Sequence, residues 1–177
     1  MRVRYIFPKL LIEMSEQLKE DLARWKSIHK LACSDWDAMA YLLWGYKEFR
    51  NLVIYRNRNH PIKRRLFQLF YPPMDTLYLD ALEIGGGLYI QHGFSTMIAA
   101  KSIGKNCWIN QQVTIGYRGN GDPPDIGDNV TITCGAKVLG SIHIGDHVVI
   151  GANAVVINDV PNNCTVGGIP AKILKIK

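Results

Sequence analysis

Five histidines carry the capacity of this sequence for proton transfer near neutral pH, because imidazole has an unperturbed pKa of about 6.5. They are not equivalent. His29 and His60 fall in a helical N-terminal part, and His143 and His147 on positions where a later repeat turns its side chains to solvent. His92, in Gln91-His92-Gly93, stands just before that repeat gains an extra residue. It is either a hydrogen-bonded turn residue or a general base. Gln91, Asn110, Gln111 and Gln112 can each donate and accept hydrogen bonds nearby, and Trp108 or Tyr117 can stack on a ring. The four cysteines, Cys33, Cys107, Cys134 and Cys164, are too widely spaced for a metal knuckle or a dense disulfide framework, so reduced thiols are expected. Gly85-Gly86-Gly87 reads as a turn, since no nucleotide-loop pattern follows it.

The elements that must hold these residues follow from two periodicities. Met14, Leu18, Leu22, Trp25 and Ile28 recur every three or four residues and predict a helix from about 14 to 32. Ser34 predicts the N-cap of a second helix, with Asp37 in its first turn, fading near Arg56. Asn59, His60 and Pro61 break it, and a third helix is expected from Ile62 to Phe70. From about Leu77 the period becomes six. Ile103, Ile109 and Ile115 are followed, after a longer gap, by Ile126, Ile132, Val138, Ile144, Ile150 and Val156. Neither a helix nor a single strand has that period; a chain that runs straight, turns and repeats does. Three such units close one coil of a triangular prism, and stacked coils pile the Ile and Val into inward ladders. The register extends back through Ile90 and Ile84 with one extra residue after His92, and Tyr117 to Asp125 must leave the prism as a loop. The expected fold is mainly β, a parallel β-helix of hexapeptide repeats over 74–177, preceded by a small α-helical module over 1–73.

With 177 residues, 47% hydrophobic and 20% charged, the chain suits one domain with an appendage. No stretch is apolar for the roughly 18 residues that a spanning helix needs, and charge comes too early for a secretory signal, so a soluble cytoplasmic protein is expected. The net charge of +6 favours an anionic partner. The basic run Arg56, Arg58, Lys63, Arg64 and Arg65 reads first as a solvated helix face, second as a contact for an anionic glycan or membrane surface; no nucleic-acid motif accompanies it.

Through IGGGLYIQHG, IGKNCWINQQVTIG, IGDHVVIGANAVV and GGIPAKIL the sequence resembles the hexapeptide-repeat acetyltransferases, which are left-handed parallel β-helix enzymes, and within them serine acetyltransferase and the O-acetyltransferases of capsule and lipopolysaccharide. The resemblance implies acetyl-CoA as co-substrate, no metal, and His92 at the catalytic position as the base for an acceptor hydroxyl. It implies CoA contacts at Gly116, Tyr117, Cys134, Gly135, Ala152 and Lys172, and a homotrimer or a dimer of trimers with sites between subunits. A zinc role for His92, His143 and His147, as in another enzyme family with this prism, does not match that family's spacing.

Two departures bear on the acceptor. Where serine acetyltransferases pair their histidine with an aspartate, this chain has Leu77, so Asp75 is the candidate carboxylate, with Gln111 or a backbone carbonyl as alternatives for setting the tautomer. Where that family has an aspartate before the histidine and an Arg-His pair in the loop, this chain has Gln91 and Asp122-Pro123. Losing the arginine removes a carboxylate partner, so a sugar hydroxyl of a surface-polysaccharide precursor, lipid- or nucleotide-linked, is expected as acceptor, held by Gln91, Asn110, Gln111, Arg118 and Asp122. L-Serine is the alternative acceptor, for which Arg118 would supply the cation. A third reading is a non-catalytic scaffold.

Overall fold

The structure is a computed structural model that describes residues 8–176; the first seven residues of the expected helical module, and Lys177, lie outside the described residues. After a turn of helix over 8–11, α1 (Glu16–Ile28) is capped by Ser15, whose hydroxyl oxygen accepts from the Leu18 N–H at 3.2 Å. It buries Leu18, Leu22 and Trp25, the stripe read from the sequence. α2 (Asp35–Gly45) is capped by Ser34, which accepts from the Asp37 N–H at 3.2 Å. The single helix expected from Ser34 to Arg56 is two helices. Tyr46 is extended (φ −128°, ψ 106°), and α3 (Lys47–Arg56) starts afresh. The break is stabilised by Arg50, whose guanidinium donates to the Leu43 and Trp44 carbonyls at 2.6 and 3.0 Å, groups that the end of α2 leaves free. α4 (Pro61–Phe70) opens on proline, where no N–H is needed.

The rest is a parallel β-helix whose three faces are sheets of five, four and six strands. The first face stacks β1 (Leu77–Leu79), β4 (Thr96–Ile98), β7 (Thr114–Gly116), β10 (Lys137–Leu139) and β13 (Val155–Val156). The second stacks β2 (Glu83–Ile84), β5 (Ser102–Ile103), β8 (Asp125–Ile126) and β11 (His143–Ile144). The third stacks β3 (Tyr89–Ile90), β6 (Trp108–Ile109), β9 (Thr131–Ile132), β12 (Val149–Ile150) and β14 (Cys164–Gly167), and β15 (Lys172–Ile176) pairs antiparallel on β14. One inward ladder occupies each face. Ile98, Ile115, Val138 and Val156 are in register on the first, Ile84, Ile103, Ile126 and Ile144 on the second, and Ile90, Ile109, Ile132, Ile150 and Val166 on the third. All are buried, and their β-branched side chains fill pleated slots without rotamer freedom to lose. The loop expected from Tyr117 does separate β7 from β8.

The irregularity after His92 is more than one added residue. Eight residues, not six, separate the ladder positions Ile90 and Ile98, and only five separate Ile98 from Ile103. The surplus is taken up by left-handed backbone at His92, Gly93 and Ser95 (φ 64°, 48° and 52°). The chain therefore bulges at the corner that carries the candidate base.

Helices and prism share one cluster of buried side chains. Their most polar joint is Asp21 of α1, fully buried, which accepts from Arg56 of α3 at 2.8 and 3.2 Å and from the Leu88 N–H at 2.9 Å. Arg56 also donates to the Ile84 and Gly85 carbonyls at 2.5 and 2.7 Å, so one guanidinium ties two helices to the first coil. Burial pushes the Asp21 carboxyl above its ordinary range, against the lowering effect of Arg56 and the Leu88 N–H. Replacing Arg56 by Met strands a buried carboxyl and is expected to cost about 3–5 kcal/mol in urea unfolding, with Asp21→Asn added to it recovering much of the loss.

Candidate active site

Where the third face turns into the first, successive coils place one residue pair above another. His92-Gly93 follows β3, Gln111-Gln112 follows β6, Cys134-Gly135 follows β9 and Ala152-Asn153 follows β12. Backbone hydrogen bonds lock the pairs into a column. Gln112 N–H donates to the Phe94 carbonyl at 3.0 Å, Gly135 N–H to Gln111 at 3.1 Å, Asn153 N–H to Cys134 at 3.0 Å, and Val155 N–H to Gly168 at 3.0 Å. Six residues singled out from the sequence, His92, Gln111, Cys134, Gly135, Ala152 and, at the far end beyond Gly168, Lys172, thus share one edge or its extension. Gly135 is a position on this edge where a side chain is excluded. It is left-handed (φ 73°), and a Cβ there would collide with the Asn153 side-chain amide. The Gln111 side-chain oxygen is buried and has no hydrogen-bond partner among the described residues. That is a free acceptor on the column.

Other expected site residues stand elsewhere on the same chain. Gly116 ends β7, and Tyr117, Arg118 and Asp122 belong to the loop that leaves the first face for the second. Arg118 and Asp122 are exposed, and Arg118 packs its stem over Gly140. One chain therefore does not bring this group to the column. Asp75 precedes β1, one coil above His92, where Thr96 N–H donates to the Thr76 carbonyl at 3.0 Å. Its carboxylate is exposed and makes no ion pair with His92 among the described residues.

His92 is exposed at the top of the column, and no side chain among the described residues hydrogen-bonds its ring. Gly93 next to it is covered. A Cβ at Gly93 would lie 2.8 Å from Glu48 Cγ of α3 and 3.1 Å from Leu77 Cδ2. Glu48, half-buried, was not legible as a site residue, since nothing in its helical spacing links it to a turn 44 residues away. The outer surface of β3 and β6 continues the site. Gln91 accepts from Trp108 Nε1 and from Asn110 Nδ2, both at 3.2 Å, which fixes its oxygen inward and leaves its NH₂ to donate. Tyr89 packs edge-on against Trp108 with ring centroids 4.7 Å apart.

Behind them His29 joins the two parts of the chain. Its Nδ1 lies 3.1 Å from the Tyr46 hydroxyl and its Nε2 3.4 Å from the Tyr89 hydroxyl, and the ring stacks on Trp25. A neutral imidazole suits two hydroxyls, one nitrogen donating and the other accepting. Glu48 lies close enough to both tyrosines to raise their pKa by its charge, although burial is the larger cause. All four cysteines are free, and burial pushes the Cys107 thiol up to about 11. Among the described residues no group of three or more His, Cys, Asp and Glu could hold a metal ion. No helix of these residues is long and apolar enough to cross a membrane.

Comparison with known proteins follows this geometry. A family model described as bacterial transferase hexapeptide (six repeats) matches residues 123–158. A serine acetyltransferase of Staphylococcus epidermidis is 41% identical over 128 residues, which are 69% of this chain and 59% of that protein. The chain thus spans under two thirds of the length of that relative. A crystal structure of Neisseria gonorrhoeae serine acetyltransferase in complex with serine superposes with a TM-score of 0.68 at 25% identity, covering 98% of this chain and 72% of the other. A serine acetyltransferase in complex with CoA does so at 0.65 and 30% identity, covering 88% and 67%. With these neighbours the prism is a left-handed parallel β-helix.

Burial holds the pKa of His29 below its usual 6.5. Below about pH 6.5 this residue therefore binds more proton in the unfolded chain than in the folded one, and its contribution makes stability fall as pH drops. Urea unfolding followed between about pH 5 and pH 7 is expected to show this slope, and His29→Gln to flatten it.

Proposed function

The chain belongs to the hexapeptide-repeat acetyltransferase family, and from that premise we propose that it is an acetyl-CoA-dependent O-acetyltransferase with His92 as general base. The observation that carries this reading is the column itself, which puts one exposed imidazole at the head of an edge where Cys134, Gly135 and Ala152 leave room for a pantetheine arm. His92 takes the proton of the acceptor hydroxyl as its oxygen attacks the thioester carbonyl. The tetrahedral intermediate collapses, the C–S bond breaks, and the imidazolium returns the proton to the departing thiolate, giving an acetyl ester and free CoA. Cys134, Gly135 and Ala152 admit the arm, Gln111 offers it a buried acceptor oxygen, and Lys172 meets its phosphates.

The relatives support L-serine as acceptor better than the surface-polysaccharide sugar that Gln91 and Asp122 led the sequence to suggest. Glu48 then faces the ammonium of serine. Its carboxylate needs a cation, and Arg118 supplies one if the loop comes from a neighbouring copy, since within one chain that loop leaves a different corner. A homotrimer, whose threefold axis sets each loop corner against the next chain's column, completes the site. A sugar stays the second reading because of one feature: the Gln91 amide, oriented by Trp108 and Asn110, donates to neutral hydroxyls as readily as to a carboxylate.

Thiol release from acetyl-CoA, measured with L-serine and with nucleotide-linked sugars, tests this. L-Serine is expected to be turned over, and His92→Ala to lower kcat by about 10² to 10⁴. Turnover of a sugar alone overturns the acceptor but keeps the chemistry; no release with any acceptor overturns the enzyme reading. Glu48→Gln is expected to raise the KM for serine about tenfold with a smaller change in kcat, the signature of a lost charge-assisted contact.

A further inference from the structure

The outer face of α4 has no part in the acyl chemistry. Phe67 is the one side chain of this helix that is buried. Ile62, Leu66, Leu69 and Phe70 are 76, 43, 77 and 54% exposed. At about 100° per residue these four fall within one arc of roughly 100°, an uninterrupted apolar stripe along the helix. Lys63 borders the stripe on one side and Arg65 on the other, and the helix has no acidic residue. Arg64 and Gln68 turn instead into a groove that they share with Asp75 and Asp80, so those carboxylates lie on the opposite side of the helix from the stripe.

We propose that α4 is an interfacial helix that seats the protein on an anionic lipid surface. Its apolar stripe enters the boundary between headgroups and acyl chains while Lys63 and Arg65 meet the phosphates at either margin, each cation keeping its charge at the surface by extending its stem. Charge decides the occupant. A two-fold contact between copies of this chain through the stripe would bring Lys63 and Arg65 near their own counterparts and repel, whereas a negatively charged bilayer attracts both, reinforced by the net charge of +6.

Cosedimentation of the full chain with vesicles tests the proposal, using phosphatidylcholine alone and phosphatidylcholine mixed with phosphatidylglycerol. Binding to the mixed vesicles only, weakened by added salt, is expected. Lys63→Glu with Arg65→Glu should weaken it by at least about tenfold. Ile62→Ser with Leu69→Ser, which leaves charge unchanged, should weaken it comparably, and both pairs should keep the wild-type melting temperature because the replaced side chains are exposed. Absence of binding to the mixed vesicles overturns the proposal. So does a smaller mass by light scattering for Ile62→Ser with Leu69→Ser, which would assign the stripe to a second copy.

Discussion

Each coil of this molecule must return an Ile or Val to the slot occupied one coil earlier, because strands hydrogen-bonded in parallel repeat at about 4.8 Å and leave no slack for a misplaced side chain. Three ladders obey this constraint along the prism, and everything chemical depends on it. Fixing the inward residue fixes the corner two residues later. The column of turn pairs at one edge is therefore a by-product of core packing.

One lapse in that register falls at His92, separate from the loop that follows β7. Two residues too many before Ile98 and one too few after it leave the ladder intact while three of the four residues from His92 to Ser95 enter left-handed backbone. Such conformations carry a steric cost for residues other than glycine, and the surrounding ladder is what holds them. The prism thus places this irregularity at the corner of the exposed His92 imidazole, with Glu48 on its flank. Asp21 and Arg56 hold the helices against this coil, so the module that supplies Glu48, Tyr46 and His29 is fixed relative to the edge it serves.

Much of this was legible in the residues. A period of six held without a slip from Ile126 to Val156 is enough to give the prism and its ladders, and the extra residue after His92 located the bulge, though not that it combines an insertion with a deletion. What escaped reading depends on contacts between distant segments. The break at Tyr46 lies inside a continuous apolar pattern and is stabilised by Arg50 reaching back to α2, a tertiary hydrogen bond that no local propensity encodes. Glu48 beside Gly93 and His29 between Tyr46 and Tyr89 are juxtapositions of helix and coil, invisible until the two are docked. The division of the candidate residues between two corners was, by contrast, implicit in the repeat: counting units would have assigned Cys134 and Arg118 to different edges.

The antiparallel return of β15 onto β14 carries a consequence for how such a rod behaves in a crowded solution. A solenoid of identical coils offers at its open end the same backbone donors and acceptors that joined its own rungs, an invitation to filaments. Here the last rung of one face is already spoken for by a strand running the wrong way, so a second molecule cannot continue the helix there in register.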